Sequence, residues 1–243
     1  MQEAPLPSDE PERLDAVRRY DVLDTPPDGA FDRVTRLAAR LFDVPISIIS
    51  IVDHDRIWFK SHHGLDVTEI DRAPGLCASA ICEVEPWIVN DARVDPRTLE
   101  NSLVAGELGL RFYVGVPLRT ADGHNLGTLN VIDFEPRTVT DEELQTLQEL
   151  AGVVMDELEL RLAARSQLEE RRRRALELHD DVVQRLAYAQ VALEAGLIDD
   201  ARAAVAATLK TAQATVEELL VSAGEHGVLA PGDLVRRRPA TLQ

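Results

Sequence analysis

Two hydrophobic periodicities follow each other along the first 138 residues. Over Phe31–Leu41, apolar residues recur every three or four positions, which predicts a helix with one buried face. Pro45 ends this helix, and the apolar run Ile46–Val52 predicts a buried strand. Over Arg111–Leu118, apolar and polar residues alternate, which predicts a strand that pairs with Leu126–Phe134 across an Asp-Gly turn.

The remaining segments of this half complete an α+β domain. A short amphipathic helix is expected over Glu12–Leu23, and further strands over Arg56–His62 and Trp87–Asn90. Ala73–Cys82 and Asp95–Glu107 are each compatible with a helix or an ordered loop. This order of elements predicts an antiparallel sheet with its helices on one side.

From Thr140 onward, the sequence predicts one very long helix. Thr140 and Glu143 have the spacing of an N-terminal capping box, and Val139 and Leu144 have that of a hydrophobic staple. The first apolar positions form a near-heptad stripe of Leu144, Leu147, Ala151, Val154 and Leu158. No proline follows before Gly196, so the helix would measure about 80 Å, at about 1.5 Å per residue. A helix of that length should project from one small domain and seek a partner helix.

Gly196 marks the turn into a last helix, and the two helical segments predict an αα-hairpin over 171–195 and 200–223. The stripe of the first segment is Ala175, Leu178, Val182, Leu186, Ala189 and Leu193. The stripe of the second is Val205, Leu209, Ala212, Val216 and Leu219. Because two helices bury little apolar surface, we expect a homodimer that forms a four-helix bundle.

Composition narrows the possible functions. The chain has 243 residues and a formal net charge of −17, so it is a poor partner for the phosphates of nucleic acid. No apolar run approaches the roughly 20 residues of a membrane span, and the acidic N-terminus is unlike a secretory signal. The two cysteines form neither a disulfide framework nor a zinc site, which favours a reducing cytoplasm.

The segment Glu177–Gln184 is the sharpest local feature. His179 lies beside the apolar stripe, about 100° round the helix from Leu178, with Asp180 next to it and Gln184 four residues beyond Asp180. A neutral imidazole is a nucleophile near physiological pH, a nearby carboxylate can fix its tautomer and take up the developing positive charge, and an amide can orient water. These residues suit phosphoryl transfer to His179. The alternative is a histidine on the flank of the helix among solvated charges.

The string Arg172–Gln184, RRRALELHDDVVQ, resembles the H-box of sensor histidine kinases. By position, the resemblance implies that His179 accepts phosphate, that Asp180 is the general base, and that Gln184 positions water when the partner response regulator is dephosphorylated. Such kinases carry an ATP-binding domain after the hairpin, whereas 20 residues without a phosphate loop follow Ala223 here. We therefore expect a phosphoacceptor served in trans by a partner kinase, a fragment of a longer kinase, or a hairpin that only dimerises.

Motifs that recur in order along the first half resemble those of a bacterial GAF sensor domain. They are YDVLDTPP (20–27), SIVD (50–53), WFKS (58–61), LCA (76–78), NDAR (90–93), DPR (95–97), RFYVGVPL (111–118) and GTLNVID (127–133). The resemblance implies an antiparallel sheet with helices on one face and a ligand pocket on the other. We predict a disordered N-terminus over 1–9, the GAF domain over 10–165, the phosphoacceptor hairpin over 166–224 and a linker-like tail over 225–243.

The ligand-binding candidates of the GAF domain are Trp58, Lys60, Cys77, Asp91, Arg111 and Tyr113. GAF domains bind cyclic nucleotides, tetrapyrroles or haem, or serve only as dimerisation and relay modules, so the ligand remains open and no cofactor is assigned. Cys77 could be a thiol sensor or a chromophore anchor, but a small buried hydrophobe is the simpler interpretation. His62 and His63 point to opposite faces of a strand, and we predict no metal site.

The favoured hypothesis is a cytoplasmic protein of two-component signalling, in which the GAF domain controls the phosphoacceptor hairpin. The alternative is a non-catalytic GAF ligand-binding and dimerisation module with a vestigial hairpin, in which His179 would tolerate replacement by alanine. A thiol-dependent reductase of methionine sulfoxide is a third hypothesis, which two closely spaced cysteines support poorly.

Overall fold

A computed structural model of the chain describes residues 5–73 and 75–225, and the chain divides into two compact units between Ala164 and Arg165. The helices are α1 (Glu10–Tyr20), α2 (Gly29–Phe42), α3 (Leu76–Ala80), α4 (Ser102–Ala105), α5 (Asp141–Glu194) and α6 (Ile198–Glu225). The strands are β1 (Ile46–Val52), β2 (Arg56–His63), β3 (Glu69–Asp71), β4 (Trp87–Val89), β5 (Phe112–Arg119) and β6 (Asn125–Asp133). Residues 1–4 and 226–243 of the two predicted tails lie outside the described residues.

The strands form one antiparallel sheet of six, in the order β3-β2-β1-β6-β5-β4. The predicted strands are confirmed to within one residue at each end. Strand β3 was not predicted, because three residues are too few to show an alternation. A bulge interrupts the pairing of β1 with β2: Ser50 lies opposite Phe59 and Ile49 opposite Ser61, so that Lys60 has no partner across the strands.

Helices cover both faces of this sheet, so the expectation of helices on one side only was wrong. On one face, Val17 of α1, Phe31 of α2 and Leu147 of α5 belong to a single buried cluster. On the other face, Leu76 of α3 and Val104 of α4 are buried against the strands. Helices α3 and α4 have five and four residues, which is too short for a helical periodicity to reveal them.

A left-handed residue ends helix α1, and a capping box begins helix α5. Asp21 adopts the left-handed conformation (φ 47°), so α1 ends at Tyr20, three residues earlier than expected. The predicted capping box of α5 is present. The Glu143 backbone N–H donates to Thr140 Oγ1 at 3.2 Å, and the Thr140 N–H donates to Glu143 Oε2 at 2.8 Å.

The turn between α5 and α6 follows from a single glycine. Gly196 has a φ of 76°, and the N–H of Leu197 donates to the carbonyl of Ala192 at 2.8 Å, as in a Schellman motif. This arrangement confirms the predicted hairpin. Within the described ranges, no helix combines the length and the apolar content that crossing a membrane requires.

The hairpin packs through small residues, of which one belongs to a predicted stripe. Ala189 and Ala192 of α5 form a buried cluster with Ala201 of α6. On α6, Val205 and Leu209 are exposed, so this part of the predicted stripe does not face α5. Alanines allow the two helices to approach closely, and the larger apolar side chains are left on the outside. The side chains of Val216 and Leu219 lie outside the described residues.

Candidate functional site

Helix α5 exposes the candidate phosphoacceptor and its polar neighbours. The side chains of His179 and Asp180 are 71% and 75% exposed, and Gln184 is exposed as well. Nδ1 of His179 lies 3.4 Å from Oδ1 of Asp180, which is a long distance for a hydrogen bond. Gln184 lies about 140° round the helix from His179. The structure therefore places Asp180 next to the imidazole and Gln184 on a different face.

The other charged groups nearby are paired with each other. Nε of Arg185 donates to Oδ1 of Asp181 at 2.9 Å. Glu170 accepts hydrogen bonds from Arg173 and Arg174 at 2.6 and 2.9 Å. Of the two adjacent carboxylates, Asp181 is thus held by an arginine, and Asp180 is the one available to the imidazole.

Exposed apolar side chains share the face of His179. Relative to Leu178, Leu193 lies about 60° round the helix, Leu186 about 80° and His179 about 100°. Leu186 and Leu193 are 47% and 53% exposed, although both belong to the predicted stripe. Ala189 of the same stripe is buried against α6. The hairpin itself therefore uses one edge of the stripe and leaves the edge nearest His179 uncovered.

Two of the six GAF candidates, Trp58 and Lys60, lie on β2 and line a cleft of about 590 Å³ beside the α1–α2 loop. Lys60 is only 4% exposed, and its Nζ donates to Thr25 Oγ1 at 2.7 Å and to the Pro26 carbonyl at 3.0 Å. Burial lowers the pKa of Lys60 below its ordinary value. The ammonium also lies 5.3 Å from the ring centroid of Phe31.

The α1–α2 loop is also held by α5. Asp28 caps α2 by accepting from the Ala30 N–H at 2.9 Å, and its other carboxylate oxygen lies 2.6 Å from Nη2 of Arg161. The Ala30 N–H and the Arg161 guanidinium both lower the pKa of Asp28. The guanidinium of Arg161 lies 4.8 Å from the ring centroid of Phe31. Phe31 is therefore in contact with cations from both β2 and α5.

Cys77 and Tyr113 lie on the other face of the sheet, buried beside α3. The Tyr113 hydroxyl donates to Cys77 Sγ at 3.5 Å, and Nδ2 of Asn130 donates to the same sulfur at 3.4 Å. Burial raises the pKa of Tyr113. Oδ1 of Asn130 is buried without a hydrogen-bond partner. Sequence reasoning missed Asn130, although a polar residue inside an otherwise apolar strand was a usable signal.

Asp91 and Arg111 lie at the β4–β5 side of the domain. Asp91 accepts hydrogen bonds from the Arg93 side chain at 2.8 and 3.1 Å, which lower the pKa of Asp91. Arg111 donates to the carbonyls of Val104 and Leu110 at 2.9 and 2.8 Å. The six candidates thus lie in three places rather than in one pocket, and their role in ligand binding stays a prediction. Within residues 5–73 and 75–225, no cluster of three or more His, Cys, Asp or Glu is arranged to hold a metal ion.

Comparison with known proteins finds two family models that match different parts of the chain. A GAF domain family model matches residues 26–158, and a histidine kinase family model matches residues 170–224. A cyclic di-GMP phosphodiesterase of Pseudomonas aeruginosa is 40% identical over 156 residues, which are 64% of this chain and 27% of that protein. The chain therefore spans about a quarter of the length of this curated relative.

Solved structures with a similar arrangement include two bacterial proteins of low identity. A free methionine-R-sulfoxide reductase from Neisseria meningitidis, in complex with its substrate, is 20% identical with a TM-score of 0.47 over 68% of this chain and 99% of that chain. The GAF domain of an Acinetobacter phosphoenolpyruvate-protein phosphotransferase is 18% identical with a TM-score of 0.46 over 63% of this chain and 95% of that chain.

Proposed function

Since the chain belongs to the GAF domain family and also carries a histidine kinase segment, a combination that supports two-component signal transduction, we propose that His179 is its phosphoacceptor. The observation that carries this proposal is the position of His179 on α5. Its imidazole is open to solvent, and hence to a kinase active site or a response regulator, and the carboxylate beside it is not held by an arginine.

The proposed reaction uses the two imidazole nitrogens differently. Because Nδ1 lies beside Asp180, we assign the imidazole proton to Nδ1, which gives Nε2 the lone pair needed for attack. Nε2 attacks the γ-phosphorus of ATP held by a partner kinase, so that the N–P bond forms and the bond to the ADP oxygen breaks. Asp180 stabilises the positive charge that develops on the ring and can take up the Nδ1 proton. In a separate reaction, Gln184 is proposed to orient the water that attacks the phosphoryl group of the response regulator, so that inorganic phosphate leaves.

Dimerisation is proposed to occur through the apolar face beside His179. Leu186 and Leu193 are about half exposed, and the hairpin buries mainly alanines between its own helices. A second copy of the hairpin would cover these leucines in a four-helix bundle. Because His179 lies at the outer edge of this face, it would remain at the rim of the bundle and accessible to the phosphate donor.

The GAF domain is proposed to make this phosphorylation responsive to a small molecule. A ligand can shift the hairpin only if it binds two arrangements of the protein with different affinity. Helix α5 packs in the core of the GAF domain through Leu147 and also carries His179, so a change in its packing has a covalent path to the proposed phosphoacceptor.

Phosphorylation of the full chain tests the proposal. We would incubate it with phosphoramidate, a small donor that needs no kinase, and with labelled ATP in the presence and absence of candidate partner kinases. The expected result is acid-labile, alkali-stable phosphate that is absent from His179→Gln and unchanged in His54→Gln, an exposed histidine outside both the hairpin and the cleft. Equal labelling of His179→Gln and the wild type would refute the assignment. No label with any donor would instead favour a hairpin that only dimerises.

A further inference from the structure

The cleft beside β2 has the size and the lining of a ligand site. Its volume of about 590 Å³ falls within the roughly 300–1,000 Å³ range of small-molecule sites. Arg36 of α2 and Trp58, Lys60, His62 and His63 of β2 line it. The cleft lies on the α2 side of the sheet, whereas Cys77 and Tyr113 are buried on the α3 side.

Lys60 is a buried cation that forms no direct ion pair among the described residues, although the charges of Asp28 and Asp32 attract it from a greater distance. Its Nζ donates to two neutral oxygens, Oγ1 of Thr25 and the carbonyl of Pro26. In the part of the chain that the structure describes, no carboxylate oxygen lies within 4.0 Å of this ammonium, which is the distance limit for an ion pair. An ammonium has three donors, so one more acceptor can bind. Burial of a charge without a directly paired anion is costly, and an anion bound beside Lys60 would reduce that cost.

The carboxylates that line the cleft have other partners. Both oxygens of Asp24 accept from the guanidinium of Arg56, at 3.0 and 2.7 Å. Asp32 accepts from the hydroxyl of Ser61 at 2.7 Å. Arg36, one turn after Asp32, forms no ion pair within the described ranges. Lys60 and Arg36 are thus the two cations of the cleft with donors open to a ligand, whereas Asp24 and Asp32 already accept hydrogen bonds from protein groups.

We propose that this cleft binds a small organic anion, whose carboxylate or phosphate group serves as the counter-ion of Lys60. Arg36 is the second cationic contact, and Trp58 supplies apolar surface for the rest of the molecule. The volume exceeds that of a single inorganic ion, which favours an organic molecule. This proposal does not depend on His179, so its failure and that of the phosphoacceptor assignment are separate results.

Lysine-selective NMR tests the proposal directly, because the chain has two lysines, Lys60 and the exposed Lys210. The full chain is labelled with ¹³C-lysine, and Lys60→Met assigns the two side-chain signals. Inorganic phosphate and succinate are then titrated separately against sodium chloride of the same ionic strength. We expect the Lys60 signal to move saturably at millimolar concentrations and its pKa to rise, while the Lys210 signal stays unchanged. A response to phosphate alone indicates a phosphorylated ligand, and a response to succinate alone indicates a carboxylate.

Matched arginine variants locate the binding. Arg36→Gln should weaken the titration of Lys60 several-fold, whereas Arg40→Gln, one turn further along α2 and also exposed, should leave it unchanged. The proposal is overturned if neither anion moves the Lys60 signal more than sodium chloride does, if Lys210 responds equally, or if the two arginine variants bind alike.

Discussion

Glu10 holds together a buried charge cluster, and its removal should destabilise the first unit in a pH-dependent way. Nε and Nη2 of Arg13 donate to Glu10 at 2.7 and 2.9 Å, and Nη1 of Arg72 donates to it at 2.5 Å. The side chains of Arg13 and Arg72 are 1% and 5% exposed. Burial raises the pKa of Glu10, but the two guanidinium groups outweigh it and bring the pKa from 4.5 to about 2.

The magnitude and the sign follow from this pKa. Each pKa unit corresponds to about 1.36 kcal/mol, so the ionised form of Glu10 raises the free energy of unfolding by about 3 kcal/mol at neutral pH. Because the pKa is lower in the folded state, this stability is present above the unfolded value of 4.5 and is lost as the pH falls toward 2. Glu10→Gln mimics the protonated form, so it should cost about 3 kcal/mol at pH 7 and only about 1 kcal/mol at pH 3.

Urea unfolding of the full chain measures this effect. Both tryptophans, Trp58 and Trp87, lie in the first unit, so their fluorescence reports the unfolding of that unit. Glu12→Gln is the matched control, because Glu12 is an exposed acid in the same first turn of α1. The reasoning would be refuted if the two variants lost the same stability at pH 7, or if the cost of Glu10→Gln did not change between pH 7 and pH 3.

Three further predictions use local geometry. Thr140→Ala removes the hydroxyl that caps α5 and should cost about 1 kcal/mol in urea unfolding, with no loss indicating that the cap is dispensable. Gly127→Ala should unfold the first unit, because a Cβ there would overlap the Ser50 carbonyl. Gly152→Ala places its Cβ in open space on α5 and should stabilise the chain by up to about 1 kcal/mol. Similar thermal midpoints for the two variants would contradict this prediction. If the chain dimerises as proposed, Leu186→Glu should sediment as a monomer in analytical ultracentrifugation, whereas the wild type and Tyr188→Glu, about 180° round the helix from His179, should sediment as dimers.

Elements whose cause is local could be predicted from the sequence. The capping box at Thr140, the glycine turn at Gly196 and the alternating hairpin β5–β6 each depend on neighbouring residues, and all three are present. The long helix was predictable because its residues have high helix propensity and no proline occurs between its ends. Helix α3 was ambiguous because its five residues are buried on nearly every side and show no period.

The packing of the hairpin shows where periodicity fails. Heptad spacing identifies a wide apolar face, but it does not say which edge of that face packs within the chain. Ala189 and Ala201 form the contact between the helices, and the larger Leu186 and Val205 stay exposed. The hairpin therefore uses only part of the predicted stripe, and the cover expected for the rest from a second copy stays a prediction.

The composition of the cleft depends on one irregularity that the sequence does not reveal. In a regular strand, Lys60 and Ser61 would point to opposite faces of the sheet. The bulge in β2 removes Lys60 from the ladder and turns both side chains toward α2, where Lys60 meets the α1–α2 loop and Ser61 donates to Asp32. The same bulge thus brings a buried ammonium and a hydroxyl to one side of the sheet. A regular strand would have placed Ser61 on the α3 side, so the lining of the cleft follows from the register of the sheet as well as from the residue types.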